Sequence, residues 1–211
     1  MFRRPADLWI LNAGASAARA ERLADTLISR GATALLSFGI AGGLDPAVRP
    51  GTVVLAREVV LPDGRRLPAD AAWADRVASS ARGMTPHRAA IAGSDRILTS
   101  TDEKRELRQR TGATAVDMET HGVAWAAARR SLPFLVIRAV ADPAERALPQ
   151  SAVASLDGGG AVRPLATIAA LTRDPRQIAA LFGVAADTLT ALAALWRFAG
   201  QTGRALAPAD P

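Results

Sequence analysis

The sequence predicts an α/β fold, a three-layer sandwich with a central mixed, largely parallel sheet flanked by helices, and a C-terminal helical extension. Three observations predict it. Short apolar runs alternate with stretches of helical periodicity over roughly the first 140 residues. Beyond about residue 150 the periodicity becomes helical alone. A chain of 211 residues with 49% hydrophobic content can bury one substantial core.

The elements follow in order. LWIL, residues 8–11, reads as a strand, and the amphipathic run after it reads as a helix ended by Gly31. TALLSF, 33–38, is a second strand, so the chain is expected to open on a right-handed βαβ unit. TVVLAREVV, 52–60, leads through the Asp63-Gly64 turn into a hairpin. Residues 70–82 read as a helix and 87–93 as a strand. STDEKRELRQRTG, 100–112, has a capping hydroxyl, acids first, bases last and a closing glycine, which predicts a helix with a solvated face. A short strand at 114–116, a helix at 118–130 and a buried strand at 133–140 complete the unit, which is bounded at 8–156.

After a glycine-rich link, DGGG at 157–160, three helical pieces are expected to pack on the same domain over 161–199, with a break near Gly183. The tail from 200 to 211 reads as disordered.

Composition excludes several functions. The absence of cysteine rules out disulfides and thiolate metal cages, and His87 and His121 are the only imidazoles, so no metal and no cofactor are expected. The formal charge of +6 is scattered among acids, and aromatic residues make up 4% of the chain, which argues against a nucleic-acid partner. LWIL is too short for a signal-peptide core, so a cytoplasmic protein is expected.

Three stretches can carry chemistry. SFGIAGGLDP, 37–46, ends a strand in glycines, either as a turn or as a loop whose N–H groups face an anion or a sugar. In AVDMETHGVAWAA, 115–127, Asp117 and Glu119 mark a strand-to-helix passage at the sheet edge where ligands bind. Glu119 then either accepts from a vicinal diol or serves the helix dipole while Asp117 caps the helix. In RAVADPAERALP, 138–149, Asp142 ends a buried strand before Pro143, as a site acid or as the start of a turn.

In order and spacing, GIAGGL, AGSDRIL (92–98), AVDMETHGVA and RAVAD resemble the purine nucleoside phosphorylase and methylthioadenosine/S-adenosylhomocysteine nucleosidase superfamily over about residues 8–142. SFGIAGGLDPAVRPG, LPADAAW, AVDMETH and RAVADPAERALP are most similar to its hopanoid-associated phosphorylase family, which is assigned to release adenine from adenosylhopane. The resemblance implies that Glu119 binds ribose hydroxyls and Met118 packs under the sugar. It further implies that Asp142 binds the purine and protonates its nitrogen-7, that Ile97 and Leu98 flank the base, and that Gly39, Ala41 and Gly42 form the loop near the ribose and the phosphate or water nucleophile.

Phosphorolytic members carry an arginine and a serine around the glycine loop where this chain has Ser37 and Ile40, so phosphorolysis and hydrolysis both stay open. The family also begins with a strand bearing a further catalytic residue ahead of the LWIL position. Seven residues precede LWIL here, so that strand is expected to be missing, either because the start of the sequence lies downstream of the true one or because the protein lacks part of its nucleophile site, and the nucleophile-activating residue stays unassigned.

The implied partner is a small-molecule or lipid-linked adenosine-type nucleoside, with inorganic phosphate as a co-substrate under phosphorolysis. A homo-oligomer is expected. A lipid-linked substrate would bring Arg173, Arg176 and Arg197 of the extension to the inner membrane. Alternatives are a methylthioadenosine/S-adenosylhomocysteine nucleosidase and a non-catalytic nucleoside-binding subunit.

Overall fold

A computed structural model describes residues 8–148 and 177–208. The elements are α1 (Ala17–Ser29), β1 (Leu35–Gly43), β2 (Val53–Val60), β3 (Arg66–Pro68), α2 (Ala71–Ser80), β4 (His87–Gly93), α3 (Thr101–Thr111), β5 (Ala115–Asp117), α4 (Thr120–Arg129), β6 (Phe134–Asp142) and α5 (Gln177–Thr202). A 3-10 turn at Gly203–Leu206 follows α5.

The sheet runs β3-β2-β4-β5-β1-β6, and β2 also pairs with β6, so five of its strands close on themselves. The longer ladders are parallel, β1 with β6 and β2 with β4, and β4 with β5 is parallel too. β1–β5, β2–β6 and the β2–β3 hairpin are antiparallel. The predicted α/β arrangement of a mixed sheet flanked by helices is therefore present, with closure as an added feature.

Local chemistry sets the element ends. Ser100 caps α3 in a capping box with Glu103, and Gly112 ends the helix at φ +66, a conformation that disfavours side-chain-bearing residues. Asp70 accepts from the Trp73 amide at 2.7 Å to start α2, and Gly64 turns the hairpin at φ +88. β6 is buried over all but its last residue, as a strand covered on both faces must be.

Two predicted features differ. Residues 8–11 form no strand: Leu8 and Ile10 are 78% and 82% exposed, so the opening βαβ unit is absent among the described residues. A strand exists only through its neighbours' backbone bonds, and apolar character alone cannot supply them. α1 instead lies on α4, where the lack of a side chain at Gly122 admits the Ala17 carbonyl; a Cβ there would lie 2.3 Å from that oxygen.

The C-terminal segment also differs. α5 passes through Gly183 without a break and continues past residue 200, where a disordered tail was expected. Packing overrides the helix cost of one glycine: Ala191, Ala194, Leu195 and Phe198 are buried against Leu135, Ile137 and Val53. The end is fastened by the Trp73 indole N–H donating to the Ala205 carbonyl at 3.0 Å and by Arg76 donating to that of Ala207 at 3.1 Å. The DGGG link and the helical piece at 165–173 lie outside the described residues.

Candidate active site

The ends of β1, β5 and β6 converge because β1 lies between the other two. In register, Gly39 is opposite Arg138, and Gly42 is opposite Val116 on β5 and Asp142 on β6. The glycine stretch is thus strand rather than loop. Gly39, Ala41 and Gly42 all lie within β1, and their backbone is committed to the ladder with β6, with a bulge at Ala41/Gly42. Their small size has a different use from the one expected. A Cβ on Gly39 would lie 2.8 Å from Arg138 Nη1, and one on Gly42 would lie 3.2 Å from Asp142 Oδ1. The glycines make room for two charged side chains.

Arg138 is 3% exposed. Its guanidinium crosses β1 to bond Asp117, and donates to Ser37 Oγ and Thr120 Oγ1, each at 2.8 Å. Asp117 also accepts from the Thr120 amide at 3.1 Å, so it takes the capping role at the start of α4. Glu119 occupies the N-cap position, yet its side chain makes no capping bond. Its nearest cation is Arg138 Nη2 at 3.6 Å. Burial, then repulsion from Asp117, pushes the Glu119 carboxyl up to about 7, with Arg138 opposing. Met118, beside it in the same turn, is half-buried.

Asp142 ends β6 with a side chain 14% exposed. Burial raises its carboxyl above the usual range, against the pull of Lys104 and Arg146 and with help from Asp187. Lys104 bonds Asp142 Oδ2 from α3. The residues after Asp142 are held as well: Leu148 N–H donates to the Thr99 carbonyl at 2.9 Å, and Arg146 pairs with Asp187 on α5.

The two residues predicted to flank a base diverge. Ile97 is half-buried, whereas Leu98 packs into a core cluster with Leu44, Ala92, Leu107 and Val116. On α4, His121 is buried and its Nε2 is hydrogen-bonded to Asp95 Oδ1 at 3.0 Å, its side chain filling the space that a Gly93 side chain would need. A cavity of about 550 Å³ reaches Gly93, Asp95 and Leu98 but includes neither Glu119 nor Asp142, and a second of about 470 Å³ lies at the far end, by Leu67 and Phe134.

Sequence reading missed Lys104 and gave Arg138 no partner. Lys104 lies three residues before Leu107 and seven before Thr111, so the buried face of α3 holds all three. That spacing was the available signal. Among the described residues no group of three His, Asp or Glu is placed to hold a metal ion.

Comparison with known proteins follows the same outline. Methylthioadenosine/S-adenosylhomocysteine nucleosidase of Campylobacter jejuni superposes with a TM-score of 0.62 at 18% identity, covering 88% of this chain and 77% of that one. The Helicobacter pylori enzyme of the same name, complexed with a pyrrolopyrimidine-bearing pyrrolidinol, gives 0.60 at 20%, covering 63% and 66%. Futalosine hydrolase of Helicobacter pylori gives 0.58 at 18%, covering 61% and 67%. The chain thus spans about two thirds of the length of the Helicobacter pylori proteins it matches. These likenesses concern the fold. A search of curated proteins finds no match. The sequence pattern of the Phosphorylase superfamily matches residues 7–158, and the chain belongs to that superfamily.

Proposed function

We propose that this protein cleaves the N-glycosidic bond of an adenosine-type nucleoside and releases adenine. The observation that carries the reading is a pair of carboxyl groups, Glu119 and Asp142, whose pKa values burial raises, at neighbouring strand ends on either side of glycine-bearing β1. Solved nucleosidases of the same fold, crystallised with adenine and nucleoside analogues, support the substrate class.

The roles follow from the chemistry. Breaking the bond between C1′ and the purine sends its electron pair into the base, and protonation of nitrogen-7 makes the base a better leaving group. Asp142 is proposed as that acid, because a raised carboxyl on a rigid strand can hold and then give up a proton. Glu119, free of capping duty, is proposed to bind the ribose hydroxyls and to favour the positive charge that develops on the sugar. Met118 is proposed to lie under the sugar and Ile97 beside the base. Leu98 would act on the base through packing, from the core side. Gly39, Ala41 and Gly42 are proposed to border the ribose and the attacking phosphate or water.

The finer proposal is an adenosine carrying a large apolar 5′ substituent, adenosylhopane by the sequence resemblance. Phe38 and Ile40, both exposed on the site strand, support an apolar neighbour there. For a lipid-linked substrate, the outward Phe182, Leu189 and Trp196 of α5 support contact with a lipid surface. Of the arginines expected at that contact, Arg173 and Arg176 lie outside the described residues, and Arg197 is exposed on α5. Among the described residues no helix is long and apolar enough to cross a membrane.

The test is adenine release from adenosine, methylthioadenosine, S-adenosylhomocysteine and adenosylhopane, each with and without phosphate. Release from adenosylhopane above the rest supports the finer reading, and release from the thioethers favours the nucleosidase alternative. Binding of adenine with no turnover of any substrate would replace both with a binding subunit.

A further inference from the structure

Lys104 is the only lysine of the chain and is 1% exposed. Burying an ammonium costs several kcal/mol unless it is paired and its hydrogens are satisfied. Here they are. Its three donors meet three acceptors: Asp142 Oδ2, the Pro143 carbonyl at 2.9 Å and the Arg146 carbonyl at 3.0 Å. With no donor left over, Lys104 has none to offer a substrate. The two carbonyls belong to the turn that follows Asp142, so one ammonium fixes both the carboxyl and the backbone that leads away from it.

We infer that Lys104 is the positioning residue of Asp142, tying Oδ2 so that Oδ1, the oxygen nearer Gly42, is the edge presented to the leaving base. The inference rests on the reading of Asp142 as the leaving-group acid and adds how that acid is aimed. The geometry separates the two oxygens: a Cβ on Gly42 would lie 3.2 Å from Oδ1 and 3.6 Å from Oδ2. In the reaction, the proton on Oδ1 passes to nitrogen-7 while the glycosidic electron pair enters the ring. Asp142 is left as a carboxylate, and its attraction to Lys104 grows as the proton departs. The pair therefore favours the transition state over the bound substrate. The other charged groups facing Asp142 are Arg146 in the following turn and Asp187 on α5.

The experiment is a double-mutant cycle on adenine binding by titration calorimetry, with wild type, Lys104→Met, Asp142→Asn and the double variant. Lys104→Met is expected to weaken adenine by about 10-fold, and to add less than about 2-fold when Asn already replaces Asp142, because coupled residues are not additive. In adenine-release profiles, removing the cation should also move the alkaline limb of Lys104→Met to higher pH, which a purely structural role would not do. An equal loss from Lys104→Met in both backgrounds, with an unmoved limb, would overturn the inference while leaving Asp142 its role. Wild type that fails to bind adenine, or Asp142→Asn that binds it as wild type does, would overturn the reading of the site itself. Should Lys104→Met fail to fold with Asp142 unpaired, the neutral double variant against Asp142→Asn decides: a further loss of about 5-fold or more contradicts the coupling.

Discussion

Arg138 bonds Asp117 across an intervening strand, and both side chains are all but sealed from water, at 3% and 1% exposed. The crossing is possible because the strand between them carries Gly39 at the point of passage. This ion pair joins β6 to the start of α4 beneath Glu119, so the same contact that fastens the core also sets the field felt at the candidate site.

Removing the cation should therefore be costly. Arg138→Met is expected to destabilise the protein by about 3–5 kcal/mol, the cost of leaving Asp117 buried without its partner. Urea denaturation of the variant against wild type measures it. A loss under about 1 kcal/mol would show that water reaches Asp117.

Glu119 makes stability depend on pH. Its folded pKa of about 7 lies above the ordinary value of 4.5, so between these the native state binds more protons than the unfolded one. The contribution is complete below the lower value and is lost as pH rises through the upper, by at most about 3 kcal/mol. Thermal midpoints at pH 5 and pH 8 should fall with pH in wild type, and fall much less in Glu119→Gln. An equal fall in both would assign the dependence elsewhere.

Gly42→Ala tests how closely the acid is held. The new methyl would lie 3.2 Å from Asp142 Oδ1 and 3.5 Å from Val116 Cγ1, so the carboxyl must move while Lys104 holds its other oxygen. Adenine release is expected to drop by about 10-fold, as small misplacements of a catalytic group cost rate steeply. Kinetics of the folded variant check this, and an unchanged rate would mean that the carboxyl adjusts freely.

The legible parts of the fold were those set by local chemistry. Ser100 with Glu103 starts α3 and Gly112 ends it, each acting on residues adjacent in the chain, and β4 was expected at 87–93 and lies there. LWIL was misread because an apolar run is a strand only when a neighbour supplies backbone partners. The end of α5 was misread because a glycine, a glutamine and a threonine read as a tail until Trp73 and Arg76 bind the carbonyls of Ala205 and Ala207. At the candidate site, Glu119 and Asp142 were legible as residue types at strand ends. Lys104 was hidden by the charged residues around it on α3, and the purpose of Gly39 depends on Arg138, 99 positions away in the sequence yet opposite it in register.

The most direct measurement is adenine release by Asp142→Asn, compared on adenosine and on 7-methylated adenosine, whose leaving group already carries the positive charge that the acid would supply. With the fold intact, release from adenosine is expected to fall by about 100-fold or more, the contribution of a positioned general acid, and release from the methylated substrate far less. Near-normal rates on both substrates would contradict the assignment of Asp142 as the leaving-group acid, and equal losses on both would reduce it to a residue that only positions the base.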